Sequence, residues 1–219
     1  MSAGLTMKVL LSFTTVSTMI LATSSDAIAQ DNEPIGRFVA DFRGSLVPYE
    51  QNVDFAVSRG IRPSITPSIG VGLEVGGHVY VFRWRVVTFG VGANFHTSAG
   101  NRSPNENDLS PDGPILRKKF SAISPQLSFN FGGRNGWSYI SGGIGSSRFS
   151  LAARDQEESL QRRANTLNYG GGARWFLKEH LAFSVDLRFY AISPLAATDA
   201  QPSSPRMTVM VLSMGAAFK

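Results

Sequence analysis

The chain has 219 residues, a formal charge of +5, no cysteine and 22 glycines. Without cysteine there is no disulfide scaffold, no thiolate metal site, no Cys nucleophile and no lipid-modified N-terminal cysteine. Only 17% of the residues are charged, below the ~25% of ordinary soluble domains, yet the near-neutral mean hydropathy excludes a bundle of membrane helices.

The N-terminus has the layout of a secretory signal. Lys8 precedes an apolar run over 9–22, and Ala27-Ile28-Ala29 precedes Gln30. A basic start, an apolar stretch of about 14 residues and an A-x-A site are the parts of a cleaved leader, whereas a spanning helix needs ~20 apolar residues. The expected organisation is a signal peptide over 1–29 and one mature domain over 30–219, in a bacterial envelope. Met7 is an alternative start to Met1. No later stretch is apolar enough for a membrane helix, so a membrane-bound mature chain has to be a closed β-barrel.

Through the mature chain the apolar period is two. Strands are expected at 37–47, 69–81, 88–98, 121–131, 137–149, 167–177, 181–190 and 206–218. In the first, Phe38, Ala40, Phe42 and Leu46 alternate with Asp41, Arg43 and Ser45. In the second, Ile69, Val71, Leu73, Val75 and Val79 alternate with Gly70, Gly72, Glu74, Gly76 and His78. The third sets Phe89, Val91, Ala93 and Phe95 against Gly90, Gly92, Asn94 and His96. In the fifth, Gly142, Gly143 and Gly145 blur the alternation and leave its facing open. The seventh is the cleanest, with Leu181, Phe183, Val185, Leu187 and Phe189 against Ser184, Asp186 and Arg188.

The polar face separates two folds. A soluble sandwich would put many Lys, Glu and Thr there. Gly, Ser and Asn instead suit the crowded interior of a narrow barrel. The connections alternate strictly, with long polar ones near 48–66, 99–118, 150–166 and 193–205 and short ones near 83–86, 132–136 and 178–180. Short periplasmic turns and longer extracellular loops are the pattern of outer-membrane barrels. Trp84, Trp137 and Trp175 each sit beside a short connection, and with Phe131 and Phe218 they are expected to form an aromatic girdle at one rim. The fold expected is an all-β, eight-stranded, antiparallel up-and-down transmembrane barrel, with a secreted β-sandwich as the alternative.

The segment Tyr169-Gly170-Gly171-Gly172-Ala173-Arg174-Trp175-Phe176-Leu177, the strand ending Asp186-Leu187-Arg188-Phe189-Tyr190, and a last strand closing on Phe218 resemble the small eight-stranded outer-membrane barrels of the outer-membrane protein A type. The resemblance implies recognition of the terminal Phe218 by barrel-assembly machinery, although Lys219 follows it here. His96-Thr97-Ser98 resembles the His-x-Ser motif of lipid A deacylases, also small barrels, in which the His activates the Ser and an acid orients the His. That family carries the motif late in the chain and facing lipid. Here it lies in the third strand on the inward parity, beside Pro104-Asn105, with Glu106 and Asp108 as the nearest acids.

By parity Asp41, Arg43, Glu74, Arg174, Asp186 and Arg188 face the lumen, where charges must pair. A salt-bridged plug is the expected outcome, and a narrow ion or small-solute pore is its alternative. Arg117, Lys118 and Lys119 form a basic cluster suited to lipopolysaccharide phosphates. Three scattered histidines indicate no metal and no cofactor, and a secreted chain is not expected to meet nucleic acid. The function expected is structural or surface-interacting and non-enzymatic: a monomer in the outer membrane among its lipids, with an unidentified partner for its loops. Lipid A deacylation by His96 and Ser98 is the further alternative.

Overall fold

The structure is a computed structural model and describes residues 34–103, 114–153, 162–199 and 201–219. The leader over 1–29 lies outside these residues, as do Pro104, Asn105, Glu106 and Asp108. Eight strands form: β1 (Phe38–Pro48), β2 (Ile69–Trp84), β3 (Val87–Arg102), β4 (Leu116–Gly133), β5 (Gly136–Ala153), β6 (Arg162–Lys178), β7 (Leu181–Ile192) and β8 (Met207–Phe218). Each pairs antiparallel with its neighbours in chain order, and β1 pairs with β8 from Ala40↔Phe218 to Leu46↔Leu212. The sheet is a closed barrel, which replaces the sandwich alternative.

Alternation then assigns every side chain to the inside or the outside. The outward row of β2 is Ile69, Val71, Leu73, Val75, Val79 and Val81, each 46% exposed or more. Phe42, Phe95, Leu127, Ile140, Leu187 and Met214 continue this belt around the other strands. Water does not tolerate such a surface on a monomer; hydrocarbon does, provided that every backbone group is paired, as closure ensures. Among the described residues no helix is long and apolar enough to cross a membrane.

The short connections are Arg85-Val86, Arg134-Asn135 and Glu179-His180, tighter than the sequence suggested. At the other end the wall is uneven. β4 and β5 run 18 residues each against 11 for β1, well beyond the ~9–11 residues a spanning strand needs. Residues 116–118 and 150–153, which read as loop from sequence, therefore continue strands above the membrane. The first long connection folds inward as helix α1 (Val53–Val57), capped by Asn52 Oδ1 accepting from the Phe55 N–H at 2.9 Å, followed by a 3₁₀ turn at Pro63–Ile65.

Where strands meet face to face, glycine is required by distance. A Cβ on Gly92 would stand 2.0 Å from the Gly77 carbonyl oxygen, whereas one on Gly44 would meet nothing nearer than 3.9 Å. Gly92→Ala is expected to destabilise the barrel by about 1–3 kcal/mol, the usual cost of overpacking, while Gly44→Ala is near neutral. Urea unfolding in lipid, followed by loss of the faster migration of unboiled protein in SDS, measures the difference.

Candidate functional site

The lumen is layered. At the short-turn end Ile35, Val39, Trp137, Tyr139, Ala182 and Ala217 form an apolar floor with Tyr80 and Phe176. At the loop end Val47, Tyr49, Phe120, Tyr190, Ile192 and Val211 form a second apolar layer with Phe149. A polar layer lies between the two.

All six charges expected in the lumen meet there. Arg43 lies between two carboxylates, its Nη2 2.6 Å from Asp41 Oδ1 and its Nη1 2.5 Å from Glu74 Oε1. It also donates to Ser184 Oγ and Tyr139 Oη. Arg174 holds the same Asp41 in a two-point grip, Nε to Oδ1 at 2.9 Å and Nη2 to Oδ2 at 2.6 Å, with its guanidinium 4.0 Å over the Tyr139 ring. Arg188 grips Asp186 through Nε and Nη2 and donates onward to Asn168 Oδ1 and Ser141 Oγ. Tyr139 Oη donates to Asp186 Oδ2 at 2.7 Å and joins the two halves. Asn94 and Ser213 complete the shell of Glu74, and Tyr190 donates to Asn94. Three guanidinium groups balance three carboxylates, so the network carries no formal charge.

Strand register builds this site. Arg43 stands opposite Glu74 on β2 and opposite Gly215 on β8. Asp186 stands opposite Gly172, which also faces Tyr139. Bulky charged groups alternate with glycines, so eight strands can enclose three arginines. Breaking a buried pair leaves a bare charge in a place water does not reach.

Helix α1 closes the loop end of the lumen. Phe55 and Ala56 pack on Leu151, with Phe55 edge-on to Phe149 at 5.0 Å. Arg59 stacks 3.6 Å over Phe55 and reaches Ser204 Oγ in the last long connection. Its partial burial lowers the guanidinium to about 10, so it remains cationic at neutral pH. The cavity left beneath is about 20 Å³, roughly room for one water.

Lys118 is part of this lid, and that corrects the basic cluster. In a strand three consecutive residues alternate, so Arg117 and Lys119 face out while Lys118 turns in. Its Nζ donates to the Glu50 carbonyl at 3.1 Å and Thr66 Oγ1 at 3.3 Å. Lys118 is buried and cannot meet a lipid headgroup. The girdle needs the same correction at one position. Trp84, Trp175 and Phe218 are 61%, 52% and 48% exposed, on the outside as expected, but Trp137 is 3% exposed. It shares the inward parity of Tyr139 and Ser141, stacks on Phe176 at 5.0 Å and plugs the floor.

His96 Nε2 and Ser98 Oγ lie 3.0 Å apart, and Ser98 Oγ is 3.1 Å from Tyr49 Oη. Both residues are buried on the lumen side, with the imidazole between Phe120 and Tyr190. Among the described residues no group hydrogen-bonds His96 Nδ1, and no acid among them orients the ring. His78 is also luminal, and His180 lies in the last short turn. Among the described residues no three His, Asp or Glu side chains are grouped to hold a metal ion. Of the third long connection, 154–161 lie outside the described residues, and Arg162 and Arg163 belong to β6.

No protein-family model matches the chain, and no curated protein sequence does. Solved structures do. Neisserial surface protein A superposes with a TM-score of 0.55 at 11% identity, over 85% of this chain and 99% of that one. The chain has the fold of the small eight-stranded outer-membrane barrels. Looser matches include the attachment invasion locus protein of Yersinia pestis, at TM-score 0.44 and 13% identity over 83% of this chain and 95% of that one. The outer-membrane protein AlkL matches at 0.42 and 15%, over 86% and 92%. At these identities the likeness carries architecture alone.

Because Arg43 serves two carboxylates, Arg43→Met is expected to cost about 3–5 kcal/mol, the range for breaking a buried ion pair. The double replacement of Arg43 and Glu74 by Met and Gln, which leaves Asp41 paired with Arg174 and Asp186 with Arg188, should recover part of that loss. Unfolding midpoints in lipid vesicles measure both. Equal stability of Arg43→Met and the parent would contradict the network.

Proposed function

We propose that the protein is a non-conducting, non-enzymatic barrel of the bacterial outer membrane. In this reading it arrives by a cleaved leader, is assembled through its terminal strand at Phe218, and holds its long connections outside the cell. The apolar belt and the alternation of two-residue turns with long connections support the location. The observation that carries the closed-lumen reading is the neutral network between two apolar layers under a pinned helix. An ion entering from either side would leave water to cross Trp137 and Phe176, or Phe55, Phe149 and Phe120, before meeting charges already satisfied by one another. Desolvation at such layers opposes passage. The role left to the molecule is structural support and surface interaction, with the partner chosen by the extracellular connections.

One observation favours a second reading, lipid A deacylation: the 3.0 Å contact of His96 with Ser98. The burial of both groups under the lid and the unpartnered Nδ1 weigh against it. In this reading lipid A from expressing cells loses one acyl chain, and His96→Ala abolishes the loss; an unchanged lipid A mass would remove it.

Planar bilayers test the closed lumen. The folded protein is expected to give no discrete conductance steps. Steps whose size shifts in Arg174→Gln or Arg188→Gln would establish a pore through the network and overturn the proposal.

A further inference from the structure

The lumen and lid account for the inward charges, but one group of outward cations remains. Arg117 and Lys119 on β4, Arg148 on β5 and Arg163 on β6 all point away from the lumen near the loop end. Register gathers them on one facet. Ser121 pairs with Arg148, Arg148 with Arg163, and Lys119 with Ser150. At the same level the outward strand positions elsewhere hold Ile69, Thr97, Ala99, Ala191 and Thr208. Within the described strands no Asp or Glu faces out on this facet.

Two features point to a ligand. Arg148 and Arg163 are exposed and stand directly opposite each other across β5 and β6. Like charges at opposed positions repel, and an anion between them turns the repulsion into a clamp of charge-assisted hydrogen bonds. The second feature is height. Arg163 and Trp175 lie about 12 residues apart on the outward row of β6, roughly 30 Å of membrane at ~3.4 Å per residue and a tilt near 40°. With Trp175 at the periplasmic interface, Arg163 is level with the headgroups of the outer leaflet. Two rows below it the face turns apolar, with Ile144 and Leu167 paired and 72% and 50% exposed.

We propose that Arg148 and Arg163, flanked by Arg117 and Lys119, bind a phosphate of an outer-leaflet glycolipid, the lipid A portion of lipopolysaccharide, whose acyl chains lie on Ile144, Leu167 and Ile123. The lateral aim of the side chains selects this occupant. A soluble polyanion approaches from above, whereas these cations share a face with residues that meet hydrocarbon. Ser146 and Asn165, in the row between the arginines and the apolar belt, offer hydrogen bonds to sugar hydroxyls. The proposal rests on the outer-membrane reading with the long connections outside.

Native mass spectrometry of the folded protein tests it, with three probes: bisphosphorylated lipid A, the same lipid without phosphates, and phosphatidylglycerol. The parent is expected to retain bisphosphorylated lipid A at least about tenfold better than the dephosphorylated form, as loss of charge-assisted contacts implies. Arg148→Gln with Arg163→Gln should lose that preference, while Arg83→Gln with Lys178→Gln at the opposite rim keeps it. Equal retention by parent and the Arg148/Arg163 variant, or indifference to the phosphates, overturns the site. Arginine-dependent retention of phosphatidylglycerol equal to that of lipid A overturns the glycolipid assignment. Each sample is first run unboiled and boiled in SDS. A parent lacking a heat-dependent shift refutes the barrel itself, a failure separate from that of the site.

Discussion

A guanidinium enclosed by eight strands must be matched by carboxylates at the right register, and Arg43 between Asp41 and Glu74 is that match. The ladder brings the groups together: Arg43 faces Glu74 across β1 and β2, while Asp41 lies two residues away on the same face of β1. Arg174 and Ser184 then reach Asp41 from β6 and β7, and Tyr139 passes hydrogen bonding on to Asp186 and Arg188. Five of the eight strands therefore supply a charged group or Tyr139 to one connected network, which ties distant parts of the wall through the lumen as backbone pairing ties neighbours.

Solvation explains the layers above and below. Charges that satisfy one another are worth most where water and salt cannot compete. Trp137 with Phe176 at one end, and Phe120, Phe149 and Phe55 at the other, keep water out. The lid follows from the same need. β4 and β5 overshoot the membrane and would expose Leu151 and Phe149, and helix α1 covers them, held by Lys118 on one side and Arg59 on the other.

The architecture was legible because parity is a strong signal in a barrel: one slip inverts every side chain. Eight strands, the alternation of loop lengths and the inward placement of Asp41, Arg43, Glu74, Arg174, Asp186 and Arg188 all follow from alternation alone. The misplacements have physical reasons. Nearness to a turn places Trp137 with the girdle, but side-chain direction is set by parity with Tyr139, which the glycines of β5 obscure. In a loop Lys118 would share the face of its neighbours, whereas in a strand the middle of three residues points the other way. The upper parts of β4 and β5 carry no apolar alternation, with Arg117, Lys118 and Lys119 consecutive in one and Leu151, Ala152 and Ala153 in the other. Helix α1 is too short to show a helical period. The pairing of Arg148 with Arg163 depends on register between two strands, which composition does not encode.

Alternation sorts this chain into an apolar exterior and a filled interior, and the three tryptophans report on it directly. Variants retaining only Trp84, Trp137 or Trp175, folded into vesicles of lipids brominated near the headgroup end of their acyl chains, give the measurement as quenching of fluorescence. Trp84 and Trp175 are expected to be strongly quenched and Trp137 to be nearly unaffected. Equal quenching of all three, or of none, would contradict the account.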